Sequence, residues 1–188
     1  VCYMPPTKKY NKKHTTKILD QATAHLHAGQ LREADALCCE ILQSQPEHAD
    51  ALHLYGLIAD RIGRYRIAEQ MISKAAKLKP RSPLFHNNLG IILLTLGKRE
   101  EANHEFRRAV QLKSDYMDAV RNLADSLEKS NELAESSVVI ARGLEISPDD
   151  PFLMLTSARL ERREGNLATA TGILQKALRP RSDLSKIL

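Results

Sequence analysis

The stretch GIILLTLGKR, from Gly90 to Arg99, ends in the Gly-Lys pair that phosphate-cradling loops use. In such a loop the glycines bare backbone N–H groups toward a phosphate, the lysine reaches its outer oxygens, and a following Ser or Thr holds magnesium. Here six residues separate Gly90 from Gly97, and Arg99 follows Lys98, so both the spacing and the magnesium ligand are wrong. The run from Leu89 to Leu96 also reads as helix, where the loop should join a strand to a helix.

Other chemistry-bearing residues fare no better. Cys38 and Cys39 are adjacent and Cys2 lies in a polar tail, an odd count without paired spacing. That argues against a disulfide framework and for a reducing compartment, with Cys38 as a small core residue. His25 and His27 are two apart, so on a helix they point to different faces. The acidic pairs Glu100-Glu101 and Asp149-Asp150 suit helix starts, where a carboxylate meets the positive end of the helix dipole. No Ser/His/Asp, Cys/His or His-Glu-x-x-His grouping is present. The expectation is therefore no catalytic set, no metal and no cofactor.

The elements that carry these residues are helical. The chain has 188 residues, 43% hydrophobic and 27% charged, with no Trp and three Phe. A composition rich in Ala, Leu, Glu and Lys favours helix, and strands want more β-branched and aromatic residues. No apolar run approaches the roughly 20 residues that span a bilayer. The net charge of +5 is concentrated in Lys8-Lys9-Tyr10-Asn11-Lys12-Lys13 after Pro5-Pro6. Without that segment the rest is close to neutral, so no nucleic-acid partner is expected. Without a visible secretory signal the expected location is cytoplasmic, although Val1 in place of Met implies a trimmed start.

A shift of 34 residues brings the chain onto itself. Gly29, Gly63, Gly97, Asn131 and Gly165 fall in register, as do Ala34, Ala68, Ala102, Ser136 and Ala170. Ala22, Gly56, Gly90, Ala124 and Ala158 form a third class, and Pro46, Pro80 and Pro148 a fourth. Each class has a physical task. Gly or Asn takes the left-handed conformation that ends one helix and turns the chain into the next. The small residues let two helices lie close, and Pro stops the second. Between them apolar residues recur at helical spacing. Each copy is a helix, a tight turn and an antiparallel helix.

The copies ALHLYGLIADRIGRYRIAEQMISKAAKLKP and LFHNNLGIILLTLGKREEANHEFRRAVQLK carry the Leu-Gly, aromatic, Gly, Ala, Ala and Pro pattern of the tetratricopeptide repeat. The chain resembles that family over residues 15–182. The resemblance implies an all-α, right-handed superhelical solenoid of about five helix-turn-helix repeats, at about 15–48, 49–82, 83–116, 117–150 and 151–184. A disordered basic tail is expected over 1–14, and the start of a further or capping helix over 183–188. The resemblance also places the first helix of each pair on a concave face fitted to an extended peptide or a partner helix. The groove residues it implies are His53, Leu57, Asn87, Asn88, Ile91, Arg121, Asn122, Asp125, Arg159 and Arg163. Asn88 and Asn122 share one phase, and an amide there offers a peptide backbone both a donor and an acceptor. The carboxylate clamp of chaperone-binding relatives is missing, since Leu19, Thr23, Leu84 and Asn88 occupy its positions.

Three functions follow as expectations. The first is a protein-interaction module. The second is a scaffold that self-associates through uncapped solenoid ends. The third is the substrate-presenting arm of a larger glycosyl- or sulfotransferase, because the repeat style is similar to arrays preceding such domains in bacterial proteins.

Overall fold

A computed structural model of the chain describes residues 11–178. The expected tail before residue 11 and the expected helix over 183–188 lie outside the described residues, as does the end of the last copy. Among the described residues the fold is all-α, with ten helices and no strand. The helices are α1 (Lys12–His27), α2 (Leu31–Ser44), α3 (Ala49–Arg61), α4 (Tyr65–Leu78), α5 (Pro83–Thr95), α6 (Arg99–Leu112), α7 (Met117–Lys129), α8 (Leu133–Ile146), α9 (Pro151–Arg163) and α10 (Leu167–Ala177). They form five antiparallel pairs of the solenoid type. Helix α1 starts at Lys12, earlier than residue 15, because the Asn11 side chain caps it by accepting from the His14 N–H at 2.9 Å.

The chain divides into two compact units, one ending at Leu112 and one beginning at Lys113. In the first, the pairs α1/α2, α3/α4 and α5/α6 stack, with α2 on α3, α4 on α5, and α1 against α3. In the second, α7/α8 and α9/α10 pack through α8 on α9 and α7 on α9.

The repeat register explains the packing. Gly29, Gly63, Gly97 and Gly165 all have φ between +74° and +86°, and Asn131 takes φ 65° in the same role. The next small position is filled by Ala34, Ala68, Ala102, Ser136 and Ala170, all buried. Ser136 keeps its hydroxyl satisfied by donating to the Ala124 carbonyl at 2.8 Å. Cys38 is fully buried in the core with Ala22, Leu26, Ala34, Leu54 and Ile58, and burial together with the nearby Asp35 charge pushes its thiol up to about 12. One bond departs from the cysteine expectation: Cys39 is disulfide-bonded.

The α4–α5 loop is tied to α6 by one imidazole. His86 Nδ1 lies 2.6 Å from Glu105 Oε2, and His86 Nε2 lies 3.1 Å from the Pro80 carbonyl. Both partners are acceptors, so both ring nitrogens donate and the ring is an imidazolium. The Glu105 bond raises the His86 pKa, against burial and the Arg108 charge, which lower it. A raised folded pKa means stability present below the ordinary His range and lost as pH rises through the folded value. His86→Gln is therefore expected to cost about 1–2 kcal/mol at pH 5.5 and clearly less at pH 8.5. Urea unfolding at the two pH values checks this, and an equal cost at both means that the ring is not charged.

Candidate functional site

In the first unit the site begins with α3 and α5, whose starts are well defined. The His48 ring caps α3 by accepting from the Ala51 N–H at 3.2 Å. Ser82 caps α5 by accepting from the Phe85 N–H at 3.4 Å, and Pro83 supplies a first-turn residue that needs no donor. These caps fix the helix phases. On α3 the stripe runs through His53, Leu57 and Asp60; on α5 it runs through Leu84, Asn88, Ile91 and Thr95.

His53 is 7% exposed and its ring stacks on Phe85, with centroids 4.4 Å apart and planes at 23°. Burial lowers its pKa to about 4, with the Asp50 charge opposing that shift only in part. At neutral pH the ring is therefore uncharged. Its Nε2 accepts from Asn88 Nδ2 at 2.8 Å, which puts the ring proton on Nδ1. Asn88 Oδ1 in turn accepts from Asn87 Nδ2 at 3.3 Å. A primary amide has two N–H donors and two acceptor lone pairs. Half-buried Asn88 thus has its plane set by His53 and Asn87 and keeps one donor and one acceptor for a ligand. Leu57 is half-buried beside it, and Ile91 is 40% exposed.

Of the residues expected in the groove, His53, Asn87 and Asn88 come together here as one hydrogen-bonded chain. Asn87 is 3% exposed, so it supports Asn88 and does not itself face solvent. Phe85 was not singled out from sequence. Its signal was its place two residues before Asn87 on a capped helix, where it backs the His53 ring.

The second unit holds the other expected residues, and here their charges are engaged. Arg121 on α7 donates to the Asp150 carboxylate from Nε at 2.7 Å and to Asp118 from Nη1 at 2.9 Å. The Arg121 guanidinium also lies 5.8 Å from the centre of the exposed Phe152 ring. Arg159 on α9 bonds Asp125, which also accepts from Lys129 at 2.7 Å. Arg163 donates to Glu128 Oε1 at 3.0 Å and to Asn131 Oδ1 at 2.7 Å. Asn122 is half-buried on α7 and has a partner of its own. The sequence leaves these arginines open toward a groove, whereas the structure engages them in a ladder of ion pairs joining α7 to α9. Asp150, which completes it, was not among the expected site residues.

Among the described residues no group of three His, Cys, Asp or Glu could hold a metal ion. No helix among them is long and apolar enough to cross a membrane.

Comparison with known proteins gives the same architecture. The tetratricopeptide repeat family profile matches residues 19–83, 56–102 and 87–151. Among solved structures, MamA superposes with a TM-score of 0.77 at 20% identity, covering 87% of this chain and 90% of that one. YrrB, described as a TPR protein with an unusual peptide-binding site, superposes at 0.76 with 22% identity, covering 95% of this chain and 94% of that one. Among curated relatives, a protein O-mannosyl-transferase of Caenorhabditis elegans is 30% identical over 105 residues, 56% of this chain and 15% of that protein. A TPR repeat-containing protein of Pseudomonas aeruginosa is 35% identical over 77 residues, 40% of this chain and 13% of its own length. The chain thus spans only a small part of these relatives.

Proposed function

The chain belongs to the tetratricopeptide repeat family, and from that premise we propose that it is a protein-interaction module that holds an extended peptide against α3 and α5 of its first unit. One observation carries this reading. The Asn88 amide is oriented by His53 and Asn87, yet keeps a free donor and acceptor beside half-buried Leu57 and exposed Ile91. A donor–acceptor pair next to an apolar ledge fits a peptide bond followed by an aliphatic side chain. The likeness to a TPR protein with a peptide-binding site supports it. The second unit contributes less to binding in this reading, because Arg121, Arg159 and Arg163 already have carboxylate partners. Catalysis is not part of the proposal.

The test uses peptides selected on the chain from a random library. Asn88→Ala is expected to weaken them about tenfold, the loss of two hydrogen bonds of ordinary net strength, with the helical circular dichroism unchanged. Affinities that do not move reject the groove. The match to part of a protein O-mannosyl-transferase favours a second reading, in which such an array presents substrate within a longer enzyme. Transfer activity from these 188 residues alone would contradict both readings.

A further inference from the structure

Asp60 lies in the last turn of α3, on the same stripe as His53 and Leu57. Its placement is unfavourable in three ways. The residue is half-buried, and burial raises its pKa. It stands at the negative end of a helix dipole, which disfavours a carboxylate. Among the described residues its side chain takes part in no hydrogen bond or ion pair, and the one charge acting to lower its pKa is that of Arg61. Arg61 is the next residue, about 100° around the helix, and is exposed.

Three other carboxylates of the first unit have a cation at hand. Asp50 has Lys79 at 2.6 Å, Glu69 has Lys98 at 2.6 Å, and Glu105 has His86 at 2.6 Å. The elements flanking α3 offer Asp60 nothing similar. One repeat earlier its register position is Leu26 on α1, and one repeat later it is Leu94 on α5. His53, the other titratable group of the stripe, is neutral at pH 7. A half-buried charge without a counterion, on the face already assigned to a ligand, is a local cost that a cation from the ligand would offset.

We propose that Asp60 receives a Lys or Arg side chain of the bound peptide, so that the first unit selects an extended segment with a basic residue close to an aliphatic one. The aliphatic stem of that residue lies along Leu57 and Leu94 while its cationic head reaches the carboxylate. This rests on the groove reading above and adds the charge of the ligand to it. An acidic segment is disfavoured at the same place by like-charge repulsion.

The test uses three fluorescein-labelled nonapeptides with Gly-Ser flanks and a central Leu-Lys, Leu-Gln or Leu-Glu, measured by fluorescence anisotropy against the full chain. The Lys peptide is expected to bind about fivefold more tightly than the Gln peptide, and the Glu peptide more weakly than either. In Asp60→Asn the preference disappears, while the urea midpoint stays the same or rises because an uncompensated charge is gone. A purely structural Asp60 would instead lower the midpoint on substitution, and that result overturns the proposal. Binding that depends on Asn88 but ignores peptide charge overturns it too and leaves the groove standing. If none of the peptides binds, the groove reading falls and takes this inference with it.

Discussion

Asp150→Ala is expected to remove about 3 kcal/mol of stability from the second unit, the low end of the cost of breaking a buried pair. The Asp150 side chain is 1% exposed and holds three groups at once. It caps α9 by accepting from the Phe152 and Leu153 N–H groups at 3.1 and 3.0 Å. It also holds the Arg121 guanidinium, which reaches it from α7 at 2.6 Å. Removing the carboxylate leaves two N–H groups and one cation to find other partners. Arg121 is 32% exposed and recovers part of its hydration, which places the loss at the low end. Asp150→Asn keeps an oxygen for the caps and loses only the charge, so about half the cost remains. The acid limb gives an independent check. Burial raises the Asp150 pKa, but the Arg121 bond and the two N–H donors outweigh it, and the folded value is lowered. Its contribution is therefore complete above the ordinary Asp range and is lost as pH falls through the folded value. Urea unfolding of wild type and Asp150→Ala at pH 7 and pH 2 measures both effects. A gap that is absent at pH 7, or as wide at pH 2, contradicts the ion pair.

Phe106→Ala is expected to cost about 3–5 kcal/mol, since the ring is fully buried and its loss leaves a cavity. The more telling experiment concerns the residue it covers. A Cβ added at Gly90 would stand 2.5, 2.7 and 2.9 Å from three carbons of the Phe106 ring. In an open helix Gly→Ala stabilises by about 1 kcal/mol. Here the ring has no room to retreat, and overpacking of about 1–3 kcal/mol wins, so Gly90→Ala destabilises. In a Phe106→Leu background the clash is relieved, and the same substitution is expected to stabilise. A double-mutant cycle in urea shows the reversal as a coupling energy of about 1–2 kcal/mol. Additive effects would mean that the two residues do not meet.

Much of the fold was legible because the repeat period acts on the backbone. A residue that must take positive φ, such as Gly97 or Asn131, and a residue that must be small, such as Gly90 or Ala102, leave the same mark in every copy. The site was less legible because it is made of side chains that cross between copies. Arg121 meets Asp150 across 29 residues, Arg159 meets Asp125 across 34, and Arg163 meets Glu128 across 35. Read along its own helix, each arginine looks available. The 34-residue pair follows from the register alone, whereas the 29-residue one needs the helix crossing. Asn87 and Asn88 show a finer limit. Successive helical residues point about 100° apart, so only one of them can turn toward solvent, and that one is half-buried Asn88, with Asn87 only 3% exposed.

The short reach of those same crossings has a kinetic consequence. The bonds from Asn88 to His53 and from Arg163 to Glu128 span 35 residues, about one repeat. Packing of one pair on the next closes only a short loop, so little chain entropy opposes it. Within a unit, folding can start at any adjacent pair and spread outward. During synthesis a pair can pack on its neighbour in the same unit as soon as both have left the ribosome, without waiting for the rest of the chain.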